Sequence, residues 1–94
     1  MPLGFEWDSR KATANSRKHG VSFEEAITVF NDPLAKIHDD VIHSADEPRE
    51  IIVGRSRSNR LLLVCFKQVA ETRIRIISSR EPTPKERHEY QEEI

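Results

Sequence analysis

The fold is decided by one stretch of the chain, residues 60–69, which reads RLLLVCFKQV. Its six successive apolar residues, Leu61 to Phe66, are not interrupted by proline or glycine. An apolar run of this length is typical of a strand that is buried on both faces. We therefore predict that this segment is the central strand of a sheet. Cys65, the single cysteine of the chain, is expected to be buried within it.

Two more extended segments lie on either side of this strand in the sequence. Residues 49–56 contain three consecutive β-branched residues, and residues 72–78 contain three isoleucines. β-branched residues favour strands, and the connections between these segments are short and polar. The pattern therefore predicts antiparallel hairpins.

The last of these strands carries two kinds of side chain in alternation. Ile74 and Ile76 fall on one face and Arg73 and Arg75 on the other, because successive strand residues point to opposite faces. We expect helices to cover the isoleucine face and the arginines to point away from the core.

The residues before these strands indicate a short strand and a helix. Phe5-Glu6-Trp7 alternates apolar and charged residues, as an edge strand does. Asp8 can cap a helix over residues 9–19, whose last turn is basic and which Gly20 ends.

A second helix is marked by Ser22 and Glu25, which have the spacing of a capping box, and by four apolar residues that share one helical face. These apolar residues are Phe23, Ala26, Ile27 and Phe30. Asn31-Asp32-Pro33 ends the helix. We also expect a strand over residues 34–39 and a long, mobile, polar loop over residues 40–48.

A last helix is predicted to begin at Thr83. Thr83 and Glu86 have the spacing of a capping box, and Pro84 suits the first helical turn. Tyr90 and Ile94 are the apolar anchors of this helix. Glu86, Arg87 and Tyr90 could cover the sheet or complete an active site, and the need for an anchor favours the structural interpretation.

These elements predict one α+β domain over residues 1–94, with a mostly antiparallel sheet of four or five strands, two helices before it and one after it. Hydrophobic residues make up 36% and charged residues 33% of the chain, as in an ordinary folded domain. No stretch approaches the roughly 18 apolar residues of a membrane span, and no apolar signal core follows Met1-Pro2-Leu3-Gly4. We expect a cytoplasmic protein without a membrane partner.

The charges are strongly segregated, although the formal net charge is only −1. Residues 20–47 carry one basic and seven acidic residues, and residues 49–80 carry eight basic and two acidic residues. Seven of the eight basic residues are arginine, whose planar fork of donors binds phosphate at two points. A phosphate-binding surface is therefore one interpretation of residues 49–80, and a solvated sheet face is the other.

Several short strings, in this order, resemble the BrnT family of type II toxin-antitoxin toxins. The strings are Phe5-Glu6-Trp7-Asp8, KHGVSFEEA at 18–26, VFNDP at 29–33, His43-Ser44, Glu47 with Arg49, Arg60-Leu61-Leu62, Arg73, RIISSR at 75–80, and Glu86-Arg87 with Tyr90. The resemblance covers residues 5–90. The chain departs from the family pattern at Asn59, where glycine is usual, and at Ser79, where alanine is common. Asparagine tolerates the positive φ of such a turn.

This resemblance implies a RelE-like fold and cleavage of RNA, without metal, that blocks translation. It also implies a BrnA antitoxin with a ribbon-helix-helix part as partner. Operator DNA would then be bound only through the toxin-antitoxin complex, which would repress its own operon.

Cleavage of RNA without metal requires the 2′-hydroxyl to attack its own phosphorus, with one group as base, another as acid, and cations around the phosphorane. His19 is the natural candidate for acid or base, since histidine titrates near neutrality. Lys18 lies beside it in the family motif. The alternative is that His19 only closes a helix before Gly20.

Arginines are the candidates for stabilising the phosphorane. Arg75 and Arg80 are the strongest of them, and Arg49 joins them as catalytic. We expect Lys11, Lys67, Arg73 and Arg87 to help in binding RNA. Each arginine could instead be a solvated strand residue or an antitoxin contact.

Metal and cofactor chemistry are not expected. His38 and His43 lie near Asp39 and Asp40, but they lack a recognised ligand spacing. Glycine-rich phosphate loops, a nucleophile elbow and a Cys-His pair are also missing from the sequence.

Two other functions compete with a ribonuclease. The first is a binding module, in which the arginine face meets nucleic acid or an acidic partner without any reaction. The second is a DNA-binding regulator, which is disfavoured because no basic recognition helix follows a turn.

Overall fold

The computed structural model describes residues 3–40 and 48–92. Its five strands are β1 (Gly4–Glu6), β2 (Lys36–Asp39), β3 (Glu50–Arg55), β4 (Leu61–Ala70) and β5 (Arg73–Arg80). Its α-helices are α1 (Ser9–His19), α2 (Phe23–Ala26) and α3 (Pro84–Glu92), and a 3₁₀ turn spans Ile27–Asn31. His43, Ser44, Glu47, Ile94 and most of the loop expected at 40–48 lie outside the described residues.

The strands form one sheet in the order β1-β5-β4-β3-β2. All neighbours are antiparallel except β1, which runs parallel to β5. β4 is central, and all six residues from Leu61 to Phe66 are buried. The predicted α+β class, the antiparallel hairpins and the central strand are therefore confirmed.

The two faces of the sheet are covered by different helices. One face is covered by α2 and its flanks, which pack on Ile74 and Ile76 of β5, as the alternation predicted; the packing residues are Val21, Phe23, Ala26 and Val29. Tyr90 of α3 packs on the opposite face against a smaller cluster. This cluster contains Val53, Leu61 and Leu63. Tyr90 thus has the structural role that the sequence favoured.

The second helix is shorter than predicted, because α2 tightens into a 3₁₀ turn after Ala26. Three successive β-branched residues, 27–29, disfavour a regular helix there. The hydroxyl of Thr28 also donates to the carbonyl of Glu25, at 2.6 Å. Ser22 caps the helix as predicted, but the Glu25 carboxylate accepts hydrogen bonds from Ser56 and Arg60 instead of completing the capping box.

The helix caps otherwise follow the prediction. The Asp8 side chain accepts from two backbone amides of α1, and Gly20 adopts the left-handed conformation with φ of 67°. At α3, Thr83 and Glu86 exchange both hydrogen bonds of a capping box. Asn59 has φ of 60°, as the turn required.

Strand boundaries differ from the prediction by up to two residues. β2 begins at Lys36 rather than at residue 34, because Asp32 holds the preceding residues in a turn. The side chain of Asp32 accepts a hydrogen bond from the amide of Leu34, and the carbonyl of Asp32 accepts one from the amide of Ala35.

Among the described residues, no helix is long and apolar enough to cross a membrane.

Candidate active site

An irregularity in the pairing of β4 and β5 sets the geometry of the site. Cys65 pairs with Ser78 and Phe66 pairs with Ile76, so Ile77 is an extra residue on β5. A bulge of this kind bends the strand and redirects its side chains. Ile77 is half-buried and lines three adjoining clefts.

The first of these, which we call the β1 cleft, lies where β1 meets β5. Arg75 contributes a guanidinium and Lys11 an ammonium group to it. The cleft is also lined by Glu6, Trp7, Asp8, Ile76 and Ile77.

The second, the α1 cleft, lies between the helix α1 and the bulge. Lys11 lines it as well as the β1 cleft, so the two clefts share a cation. Lys18 is exposed and His19 half-buried at the end of α1. The other lining residues are Ala14, Asn15, Ile77 and Ser78. The end of α1 is closed by the backbone amide of Gly20, which donates to Ser16, so the cap does not require the imidazole of His19.

The third, the α3 cleft, lies on the face of the sheet where α3 packs. Arg49, which directly precedes β3, and Arg80, the last residue of β5, both line it. It is also lined by Asp40, Ile51, Leu63, Cys65, Ile77, Ser78 and Glu86.

The five residues predicted to be catalytic therefore lie around Ile77, distributed among three clefts. Of the predicted RNA-binding residues, Lys11 lines two of the clefts. Lys67 pairs in register with Arg75, Arg73 is half-exposed at the start of β5, and Arg87 is half-buried on α3. These last three line none of the three clefts.

Glu6 holds two of the arginines together, a contact that the sequence analysis did not find. One carboxylate oxygen accepts from Nε of Arg73 at 2.8 Å, and the other accepts from Nε of Arg75 at 2.8 Å. These hydrogen bonds lower the pKa of Glu6, and the one from Arg73 has the larger effect. The guanidinium groups are still about half exposed, so each retains donors for a ligand.

Arg80 is held by Glu86 in a similar way. Its two terminal nitrogens donate to the two carboxylate oxygens at 2.7 and 3.0 Å. The hydrogen bonds from Arg80 are the main reason why the pKa of Glu86 falls to about 2, and the same pair raises the pKa of Arg80. This contact ties α3 to the end of β5.

Arg60 belongs to a separate ion pair, away from the clefts. It donates to both oxygens of Glu25 and to the carbonyl of Gly20. The hydrogen bond between Arg60 and Glu25 is the main cause of the lowered pKa of the acid and the raised pKa of the base. Arg60 is therefore a structural residue.

Cys65 lines the α3 cleft but is not suited to nucleophilic chemistry. Its thiol is buried and donates to a carboxylate oxygen of Asp40 at 3.5 Å. Burial raises the pKa of Cys65 to about 11, and this hydrogen bond is the second largest cause of the shift. The thiol is thus protonated near neutral pH, and the predicted structural role of Cys65 is consistent with this environment.

Within residues 3–40 and 48–92, no group of three or more His, Cys, Asp or Glu side chains is arranged to hold a metal ion. His38 is exposed on the edge strand β2, and His43 lies outside the described residues.

The comparisons with known proteins agree with this architecture. The family model of a ribonuclease toxin, BrnT, of type II toxin-antitoxin systems matches residues 7–86. Among solved structures, the chain is similar to the ribonuclease toxin BrnT of Brucella abortus. The two are 25% identical, with a TM-score of 0.67, and the match covers 86% of this chain and 97% of that one. No curated protein matches the chain significantly.

The matching family and the shared fold together define a small ribonuclease toxin of the type II toxin-antitoxin class. The chain belongs to the BrnT family. The resemblance drawn from the sequence is therefore confirmed. Membership implies an antitoxin as partner, since a type II toxin is one half of a toxin-antitoxin pair.

Proposed function

We propose that this protein is a metal-independent endoribonuclease that cleaves RNA, inhibits translation and is neutralised by a cognate antitoxin. One observation carries the proposal: His19 and five cationic side chains surround the bulged residue Ile77. These five are Lys11, Lys18, Arg49, Arg75 and Arg80. The clefts adjoin one another, so an RNA chain can cross them with its phosphates beside successive cations.

The chemistry follows from the groups in the α1 cleft. His19 transfers a proton, as base to the 2′-hydroxyl or as acid to the leaving 5′-oxygen. Lys18 and Lys11 lie in the same cleft and stabilise the negative charge that develops on the phosphorane.

The arginines complete the stabilisation from the neighbouring clefts. Arg75 lies in the β1 cleft, which shares Lys11 with the α1 cleft, and Arg49 and Arg80 lie in the α3 cleft. Glu6 and Glu86 hold Arg75 and Arg80 in place, and this preorganisation strengthens electrostatic catalysis. Loss of one such cation should lower the rate of cleavage by about 10²-fold.

The proposal is tested by inducing the wild-type chain and the His19→Ala and Arg75→Ala variants in bacteria and measuring growth and the integrity of total RNA. We expect growth arrest and RNA loss with the wild type and neither with the two variants. Arg57→Ala is the matched control, because Arg57 is exposed in the turn before Asn59 and lies outside the three clefts. Normal growth and intact RNA with soluble wild-type protein would refute the proposal.

The partner is proposed to be a BrnA-like antitoxin with a ribbon-helix-helix part, encoded by the neighbouring open reading frame. We propose that an acidic segment of the antitoxin covers the basic strands β3 to β5, and that operator DNA is bound only through the complex. We propose that the protein is one toxin domain, residues 1–94, in the cytoplasm. Co-expression of the neighbouring open reading frame should restore growth, and the bound antitoxin should protect β3 to β5 from trypsin. Unchanged tryptic cleavage would contradict this footprint.

A non-catalytic binding module is the second candidate, because the three arginines at the ends of β5 are paired with carboxylates and could serve as fixed contacts for a partner. Substitution separates the two functions. In a ribonuclease, His19→Ala abolishes cleavage and leaves RNA affinity nearly unchanged. If the protein is instead a binding module, even the wild type does not cleave RNA.

A further inference from the structure

The β1 cleft differs from the α1 cleft in the chemistry that it offers to a ligand. Its lining includes two carboxylates, of Glu6 and Asp8, as well as the cations of Lys11 and Arg75 and the indole of Trp7. The residues that line the α1 cleft include two lysines and no carboxylate. A phosphate group is therefore favoured in the α1 cleft. The β1 cleft suits an uncharged aromatic group that has N–H donors.

Trp7 supplies a fixed aromatic surface in the β1 cleft. Its ring is half-buried and packs against the core, where it meets Phe23 edge to face at a centroid distance of 5.9 Å. A side chain that is held by the core loses little conformational entropy when a ligand stacks on it. Nucleobases of single-stranded RNA commonly stack on exposed aromatic side chains of this kind.

Asp8 is the carboxylate that remains available to a ligand. Both oxygens of Glu6 accept from arginines. The N-cap hydrogen bonds of Asp8, from the amides of Arg10 and Lys11, both go to Oδ1. The cap thus fixes the Asp8 side chain and leaves Oδ2 to accept a hydrogen bond at the β1 cleft.

We propose that the β1 cleft binds the nucleobase next to the cleaved phosphate, with the base stacked on Trp7 and its Watson–Crick edge bound by Asp8. This inference rests on the proposed ribonuclease function and adds a base preference to it. Guanine fits the site best, because its N1–H and N2–H groups are adjacent donors for a carboxylate that can only accept. Uracil fits worst, because its single N–H lies between two carbonyl acceptors that the carboxylate repels.

Trp7 is the only tryptophan of the chain, so its fluorescence reports on this cleft directly. We would titrate the wild-type protein with guanosine 3′-monophosphate and, separately, with uridine 3′-monophosphate. The two probes carry the same phosphate and differ only in the base. Saturable quenching is expected, with the guanosine nucleotide bound roughly 5- to 150-fold more tightly. Equal affinities, or no change in fluorescence with the guanosine nucleotide, would overturn the proposal.

The role of Asp8 is tested by Asp8→Asn. Asparagine caps helices as well as aspartate does, so α1 should stay folded while an NH₂ donor replaces the accepting Oδ2. The preference for guanosine over uridine should then fall to nearly one. Asp39→Asn is the matched control, since Asp39 is exposed on β2 at the opposite edge of the sheet. A full guanosine preference in Asp8→Asn would contradict the assignment.

Cleavage of oligonucleotides that contain one guanine or one uracil distinguishes the failure of this inference from failure of the proposed function. Cleavage without base preference, together with no quenching of Trp7, would refute the base site but not the proposed ribonuclease function. Quenching by the guanosine nucleotide without any cleavage of RNA would instead support the base site and refute the ribonuclease function.

Discussion

The side chain of Asn15 makes hydrogen bonds to the backbone of β5 that a neighbouring strand would otherwise make. β1 pairs with β5 only from Arg73 to Arg75. Farther along β5, the Asn15 amide accepts from the amide of Ser79 at 3.0 Å and donates to the carbonyl of the same residue at 2.8 Å. It also donates to the carbonyl of Val21. Asn15 therefore fixes α1, and with it Lys18 and His19, against the strand that carries the arginines.

We expect Asn15→Ala to lower the free energy of unfolding by about 2–3 kcal/mol, because it leaves the buried polar groups of Ser79 without partners. Urea denaturation of the purified variant measures this loss. Thr13→Ala provides the control, since its hydroxyl bonds an exposed carbonyl of the same helix and should matter by less than about 0.5 kcal/mol. Equal stability of Asn15→Ala and wild type would contradict the role assigned to Asn15.

At the same scale, the sequence named cations that line the three clefts but not the groups that hold them. Arg75 and Arg80 follow from alternation and from the family motif. Glu6 could not be assigned, because it reaches Arg73 and Arg75 across 67 and 69 residues of sequence, through a parallel pairing that no local pattern encodes. The spacing of Glu86 pointed to a cap and gave no sign of its second bond, to Arg80.

Among the elements, the strands and caps were largely predictable, since both depend on local patterns such as the apolar run of β4. The tightening of α2 and the bulge at Ile77 were not, because each depends on packing against other elements. The bulge is the more consequential omission, since Ile77 joins the three clefts.

The packing of β3 against the turn that follows Asn31 leads to a prediction at Gly54. A Cβ atom there would lie 2.8 Å from Cβ of Ala35 and 2.9 Å from a carboxylate oxygen of Asp32. We expect Gly54→Ala to destabilise the fold by about 1–3 kcal/mol through overpacking. Thermal unfolding would measure this change. An unaltered midpoint would mean that the turn moves aside without cost.

The junction of α3 with β5 should make stability depend on pH. The folded-state pKa of Glu86 is about 2, below the ordinary value of 4.5. The folded protein therefore binds fewer protons than the unfolded chain, and the contribution of the pair is complete above about pH 5 and is lost as the pH falls toward about 2. Part of the acid sensitivity should disappear in Glu86→Gln, which should also lose about 1 kcal/mol at pH 7.

Urea midpoints at neutral and acidic pH test this expectation, with Glu89→Gln on the exposed side of the same helix as control. Glu6 and Glu25 also have lowered pKa values and should account for acid sensitivity that remains in Glu86→Gln. An identical pH profile in Glu86→Gln and wild type would argue against the Arg80 contact.

Over the whole molecule, the segregated charges of the sequence become a mixture of ion pairs and accessible cations. The basic segment contributes Arg60 to a structural pair with Glu25, while Arg73 and Arg75 stay about half exposed beside Glu6. The charge pattern of the sequence therefore indicated where the arginines are concentrated, but not the carboxylates that pair with them.

RNA affinity should accordingly fall as the salt concentration rises, and each lost phosphate contact should reduce the slope of log affinity against log salt by about 0.7. We expect this reduction for Arg75→Ala, in a His19→Ala background that prevents cleavage, and no reduction for Arg57→Ala. Fluorescence anisotropy with a labelled single-stranded RNA measures the slopes. Equal slopes for all three proteins would place the phosphates away from Arg75.

The parallel pairing of β1 with β5 has a consequence for the timing of toxicity during synthesis. Glu6 leaves the ribosome early, but its partners Arg73 and Arg75 are made 67 and 69 residues later. Until then the nascent chain contains Lys18 and His19 without the strand against which they are positioned. The toxin therefore cannot assemble its clefts while most of the chain is still being translated, and an antitoxin already present in the cell can meet it as soon as it folds.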